Sequence, residues 1–183
     1  MNTFPFPGAI GPSGRVRIFW VSLILGAATA FFIGQVSAPA RESGYTGLSL
    51  QFAGTPEKAK TILNAWGETG RDAIALGIRI DFVFILFYVA TLIFGCQIAA
   101  ERFWARGKLR WARCGPLLAW CAIAAGAFDL VENCLQLELL SGLMETDWPA
   151  IIRVCASLKF LLTGAAALYT LAGLLVFRPR LSR

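Results

Sequence analysis

Four long apolar runs, separated by shorter polar segments, set the pattern of this chain. They cover about Val16 to Ala38, Ile78 to Ala100, Pro116 to Leu140 and Ile151 to Phe177. A bilayer core of ~30 Å needs about 20 residues of helix, and each run is long enough. The runs are continuously apolar rather than alternating. They therefore predict membrane-spanning helices and not the strands of a barrel. The expected fold is all-α, a transmembrane four-helix bundle with a short extracytoplasmic amphipathic helix, in one polytopic membrane domain over 1–183.

The segment 39–77 between the first two runs is too long for a simple turn. Leu48, Leu50 and Phe52 alternate with Ser49 and Gln51, which predicts a short strand. Gly54-Thr55-Pro56-Glu57 reads as a helix start, with Thr55 as N-cap, Pro56 at the first helical position and Glu57 in the first turn. Ala59, Ile62, Leu63 and Trp66 then fall at i, i+3, i+4 and i+7, one face of a short helix. Gly67 supplies a stop. This helix is expected to lie on the outer membrane surface, either sealing the bundle or acting as a lid or docking face for a partner. Asp72 can open a further turn, in which case the second span begins before Ile78.

The third and fourth runs are interrupted by groups that do not belong in hydrocarbon. Asp129, Glu132, Asn133 and Gln136 repeat at i, i+3, i+4 and i+7, one polar stripe on one helix face. Lys159 stands in the fourth run. Placing such groups at mid-membrane costs roughly 2.5 to 3.5 kcal/mol each even on lenient insertion scales, so they face protein or a cavity and take partners. Counted from the connection 141–150 at ~1.5 Å per residue, Glu132 and Lys159 reach similar depth. A Glu132–Lys159 pair is the expected arrangement, with Asp129, one turn deeper, as the alternative. Thr163 and Thr170 share the face of Lys159. In the second run Asp81 and Tyr88 share a face, and Tyr88 lies near the depth of the stripe. Arg79 and Arg153 fall nearer the outer boundary, where they snorkel or pair with Asp81. Asp129 and Glu132 offer two negative charges against one amine. That surplus fits a proton or cation site, and it equally fits a static hydrogen-bonded clamp between helices.

Charge adds a topology. Arginines and lysines cluster before the first run (Arg15, Arg17), between the second and third (Arg102, Arg106, Lys108, Arg110, Arg113) and after the fourth (Arg178, Arg180, Arg183). These segments hold more than half of the 17 basic residues, while 141–149 carries Glu145 and Asp147 and no base. The positive-inside rule puts both termini and the middle connection in the cytoplasm. Trp20, Trp104, Trp111 and Trp148 sit near run ends, as interfacial anchors do. The net charge of +6 is spent on these short segments, so no nucleic-acid partner is expected. A competing reading concerns the first run. Arg15 and Arg17, the apolar stretch from Ile18 and Val36-Ser37-Ala38 resemble a secretory signal with a small-residue cleavage site, and cleavage there would leave three spans.

Composition agrees. Hydrophobic residues make up 57% of the chain and charged residues 15%, below the ~25% charged fraction of soluble domains. There is no histidine, which removes the commonest general base and metal ligand. No catalytic residue, metal site or cofactor is expected. The five cysteines, Cys96, Cys114, Cys121, Cys134 and Cys155, lack CxxC spacing, which argues against a thiol–disulfide enzyme. Cys134 and Cys155 lie near the outer ends of neighbouring spans, where ordinary burial competes with a disulfide. Ser22, Gly26, Ala30 and Gly34 form a small-residue face for close helix approach, within the bundle or in a homodimer.

Ala53-Gly54-Thr55-Pro56-Glu57-Lys58-Ala59, Trp66-Gly67, Asp129-x-x-Glu132-Asn133 and Ser157-Leu158-Lys159-Phe160 resemble small uncharacterised bacterial four-span inner-membrane proteins. The resemblance covers most of the chain after the first span and brings no activity with it. The residues themselves point first to an integral membrane binding or accessory protein with a polar centre of Asp129, Glu132, Asn133, Lys159, Tyr88 and Asp81. Its expected partners are membrane lipids, with a homo-oligomer or a membrane partner subunit beside them. The alternatives are a proton- or cation-coupled transport component and a lipid-acting membrane enzyme.

Overall fold

The computed structural model describes residues 10–143 and 145–175, and among these it is helical with no strand. Arg178, Arg180, Arg183 and the end of the fourth predicted span lie outside the described residues. The elements are α1 (Pro12–Val36), α2 (Ala38–Arg41), α3 (Gly47–Gln51), α4 (Pro56–Ala105), α5 (Leu109–Leu140) and α6 (Trp148–Leu175). Helices α1, α4, α5 and α6 are each long and apolar enough to cross a membrane. Helices α4, α5 and α6 pack on one another pairwise, and α1 lies along α4.

Helix α4 starts where the sequence predicts. Thr55 caps it, its hydroxyl accepting from the Lys58 amide at 3.4 Å, and Pro56 occupies the first turn. The backbone amide of Glu57 and the Thr55 hydroxyl hold the exposed Glu57 carboxyl below its usual range. Ala59, Ile62, Leu63 and Trp66 are buried, while Glu57, Lys58, Lys60 and Asn64 are exposed. Trp66 also donates its indole N–H to the Tyr45 carbonyl at 3.2 Å.

One expectation for this region is met and one is corrected. Gly67 ends the first helical stretch: its φ 60°, ψ −164° is non-helical, and a second stretch begins at once and runs to Ala105 within α4. From the kink to Ala105 the helix is about 57 Å long at ~1.5 Å per residue, well beyond the ~30 Å a bilayer core requires. The predicted strand at 48–52 is instead helical over 48–51 in α3, with Phe52 as its C-cap. The Thr46 amide donates to Ser49 Oγ at 3.0 Å and opens the turn. Leu50 alone of the alternating apolar residues is buried, whereas Leu48 and Phe52 are exposed. A two-residue period over so short a stretch has no neighbouring strand to pair with among the described residues.

Helix α1 uses half of its small-residue face. Ser22 and Gly26 are buried. The Thr91 hydroxyl of α4 donates to Ser22 Oγ at 2.9 Å, and a Cβ on Gly26 would rest 3.5 Å from Phe87 Cβ. Ala30 is exposed, and nothing lies within 4 Å of where a Gly34 side chain would project.

Two apolar layers form the interior. One gathers Ala40, Leu50, Trp66, Ile78, Leu139 and Ile152 from α2, α3, α4 and the facing ends of α5 and α6. The other gathers Leu92, Cys96, Ala99, Ala119, Ala166 and Tyr169 toward the arginine-rich connection. Small residues set the approach in this second layer. A Cβ on Gly173 of α6 would fall 2.2 Å from Ala99 Cβ, and one on Gly115 of α5 would fall 2.6 Å from Ala100 Cβ.

Candidate functional site

Between the two apolar layers, the same three helices carry the charged stripe. Along α5, Asp129 to Gln136 lie after Ala122 and before Leu139. Along α6, Lys159 lies between Ile152 and Ala166. Along α4, Asp81 and Tyr88 lie between Ile78 and Leu92. Helical periodicity does the positioning. Four polar residues at i, i+3, i+4 and i+7 project from one face of α5, and all four are buried, Glu132 at 0% and Asp129 at 4% exposed.

Lys159 is the hub. Its Nζ donates to Asp129 Oδ1 at 2.6 Å. It also lies 2.9 Å from Glu132 Oε2. That second contact is an ion pair of poorer hydrogen-bond geometry, and no other donor reaches Oε2. The expected Glu132–Lys159 pairing is thus widened. The amine sits between both acids, and the directional bond goes to Asp129.

The remaining donors are also aimed at carboxylates. Tyr88 donates its hydroxyl to Asp129 Oδ2 at 3.0 Å. Gln136 donates to Glu132 Oε1 at 2.8 Å. Asn133 donates to Asp81 Oδ2 at 2.7 Å. Asp129 therefore joins α5 to α6 and α4, Glu132 joins α5 to α6, and Asn133 joins α5 to α4. The six predicted site residues fall in two bonded groups on the α5 stripe: Lys159 with Asp129, Glu132, Tyr88 and Gln136, and Asn133 with Asp81.

Other expectations resolve differently. Asp81 accepts from Asn133, so its hydrogen bond goes to the stripe and not to an arginine. Arg79 and Arg153 are exposed, and the Arg153 side chain lies against Gly54. Thr170, on the face of Lys159, falls in the second apolar layer, where its hydroxyl is 3.7 Å from Cys96 Sγ. All five cysteines are free, with Cys155 buried and Cys134 exposed. Among the described residues no three cysteine or acidic side chains converge with metal-binding spacing.

Sequence reasoning passed over two contacts and one buried polar group. Arg15 pairs with Glu101, fastening the start of α1 to the end of α4. Thr91 meets Ser22. Gln97 is 3% exposed with its amide nitrogen unpartnered. The signal for Gln97 is a lone carboxamide in the apolar run Ile93 to Ala100. The Arg15–Glu101 contact carries no local signal, because its partners are far apart in the chain.

No known protein family, curated protein or solved structure matches this chain.

Proposed function

We propose that this chain is an integral membrane binding protein of the bacterial inner membrane, multi-pass, with both termini cytoplasmic. Its short helix at 56–66 then lies on the extracytoplasmic side and covers the bundle. The observation that carries the reading is a single amine between two buried acids, with a third acid, Asp81, accepting from Asn133 of the same α5 stripe.

Charge balance is the argument. Isolated charges cannot remain in a low-dielectric interior without compensation. Lys159 offsets one carboxylate, and the neutral donors Tyr88, Asn133 and Gln136 solvate the others. The centre still holds more acid than base, and that surplus is the capacity for a bound proton, a small cationic ligand or a basic side chain of a partner helix. The same residues clamp three helices together, so binding and integrity share one network.

A second reading, a proton- or cation-coupled transport component, draws on the same surplus. The small size of the chain weighs against it, since alternating access is usually built from repeated halves and none is evident in the sequence.

Native mass spectrometry from mild detergent tests the binding reading. A retained cationic ligand or partner that is lost in Asp129→Asn supports it, and a bare monomer under every mild condition overturns it. Reconstitution in liposomes with a lumenal pH dye tests transport. Proton flux in the unaltered protein that disappears in Asp129→Asn would replace binding with transport.

A further inference from the structure

The start of α5 presents two arginines on the line that faces away from the bundle. Arg110, Arg113, Leu117 and Trp120 fall at i, i+3, i+7 and i+10, so they project from one face. All four are exposed, Leu117 at 66% and Trp120 at 56%. Ala112, Gly115 and Ala119, on the far face of the same turns, are buried. Arg110 and Arg113 stand one turn apart, where side chains on a helix are neighbours. Among the described residues neither guanidinium has a hydrogen-bond or ion-pair partner. Glu101 is taken by Arg15, and no acid occurs in the sequence between Glu101 and Asp129. Orientation by the positive-inside rule needs bases in this segment, but it does not need two of them, without an acid, on the lipid-facing line.

Depth identifies what would meet them. At ~1.5 Å per residue, Arg113 and Arg110 lie about 4.5 and 9 Å outside Pro116, the expected start of the span, and Leu117 and Trp120 lie about 1.5 and 6 Å inside it. The headgroup layer adds roughly 5–7.5 Å on each side of a ~30 Å hydrocarbon core. The two guanidiniums therefore bracket the level of lipid phosphates, and the two large apolar side chains lie at the level of the first acyl carbons.

We propose that this line binds one anionic phospholipid of the leaflet on the arginine-rich side, its phosphodiester held between Arg110 and Arg113 and an acyl chain lying along Leu117 and Trp120. The planar guanidinium fork matches phosphate oxygens. Charge selects the headgroup. Neither arginine is offset by an acid, so a headgroup that carries its own ammonium leaves the site with excess positive charge, and an anionic one does not. The proposal rests on the membrane-spanning reading of α5 and is independent of any ligand at Asp129 and Glu132.

The test is native mass spectrometry of the full chain in mild detergent, titrated with phosphatidylglycerol and with phosphatidylcholine of identical acyl chains. One basic residue at an anionic lipid surface is worth about fivefold in affinity, so the unaltered protein is expected to retain phosphatidylglycerol about fivefold better or more. Arg110→Gln with Arg113→Gln is expected to lose most of that preference. Arg17→Gln with Lys108→Gln, which removes the same charge at exposed positions off the line, is expected to keep it. Equal retention of the two lipids by the unaltered protein overturns the proposal. So does an equal loss in the two double variants, which is the signature of diffuse charge and not of a site. Displacement of phosphatidylglycerol by inorganic phosphate alone would mark a soluble-anion site and overturn it as well. If the glutamine pair fails to insert, Arg110→Lys with Arg113→Lys keeps the charges that orient the chain and removes the forks. A loss of about two- to threefold in that pair supports the proposal, and an undiminished preference overturns it. Carbonate extraction of the same membranes reads the spanning assignment separately.

Discussion

Lys159 donates to Asp129 across 2.6 Å, joining α6 to α5 at the level where both apolar layers end. Both partners are buried, and the cost of removing one of them follows from what is left behind. Lys159→Met leaves two acids without their cation, and breaking a buried pair in this way costs about 3–5 kcal/mol. Asp129→Asn in the same chain restores part of the loss, because the double variant buries fewer unpaired charges. The expected outcome in detergent thermal unfolding is a double-mutant cycle that departs from additivity by more than ~1 kcal/mol. The same cycle with Glu132→Gln should show the weaker coupling, since Glu132 Oε2 lies farther from Nζ, at 2.9 Å, and in poorer hydrogen-bond geometry. Additive losses in both cycles would remove the amine as the hub.

Tyr88 tests the link to α4. Its hydroxyl donates to Asp129 Oδ2 at 3.0 Å, and hydrogen bonds to charged groups contribute about 1.5–3 kcal/mol. Tyr88→Phe keeps the ring and removes that donor alone. Stability is expected to fall within that range, and the loss should largely vanish in an Asp129→Asn background. A full loss that persists in that background would locate the effect in ring packing and not in the hydrogen bond.

How much of this was legible beforehand depends on the length scale of each signal. The four helices long and apolar enough to cross a membrane were legible because each apolar run exceeds a bilayer's thickness. The stripe at 129, 132, 133 and 136 was legible because helical spacing alone puts those residues on one face. The choice between Glu132 and Asp129 was not, because they stand one turn apart and a lysine stem reaches both. The strand expected at 48–52 failed because a two-residue period in so short a stretch carries less weight than the turn opened by Thr46 and Ser49. Gly67 was legible as the stop of the first helical stretch, because glycine enters a positive-φ conformation that other residues avoid; that a second stretch resumes at once was signalled only by Asp72. Gln97 was passed over because one carboxamide hardly changes the hydropathy of its run.

Glycines at the interhelical contacts give a paired prediction. A Cβ on Gly173 would lie 2.2 Å from Ala99 Cβ and 2.6 Å from Ala99 Cα. The second of these atoms is backbone and cannot rotate away. Gly173→Ala must therefore push α6 from α4, with an expected loss of about 1–3 kcal/mol, the usual cost of overpacking. Gly34→Ala meets nothing within 4 Å, and a helical alanine is favoured over glycine by about 1 kcal/mol. It is expected to be neutral or stabilising in the same thermal assay. Equal effects at the two sites would contradict the close α4–α6 approach.

The kink at Gly67 is open to a sharper test, because its surroundings are empty. No atom lies within 4 Å of a Cβ placed there, so substitution acts through backbone conformation alone. The geometry, φ 60° with ψ −164°, belongs to a region that only glycine enters readily, and holding another residue in such strain costs about 1–3 kcal/mol. Arg71 bridges the bend, donating from Nε to the Leu63 carbonyl at 2.8 Å and from Nη2 to Asn64 Oδ1 at 3.1 Å. Gly67→Ala is therefore expected to lower the unfolding temperature, and Gly67→D-Ala, introduced by ligation, to restore most of it, because a D-residue occupies positive φ without that strain. Straightening the helix instead would draw Trp66 away from the Tyr45 carbonyl, which tryptophan fluorescence would report as increased solvent exposure. An L-alanine variant as stable as the unaltered chain, with unchanged fluorescence, would mean that the bend does not depend on glycine.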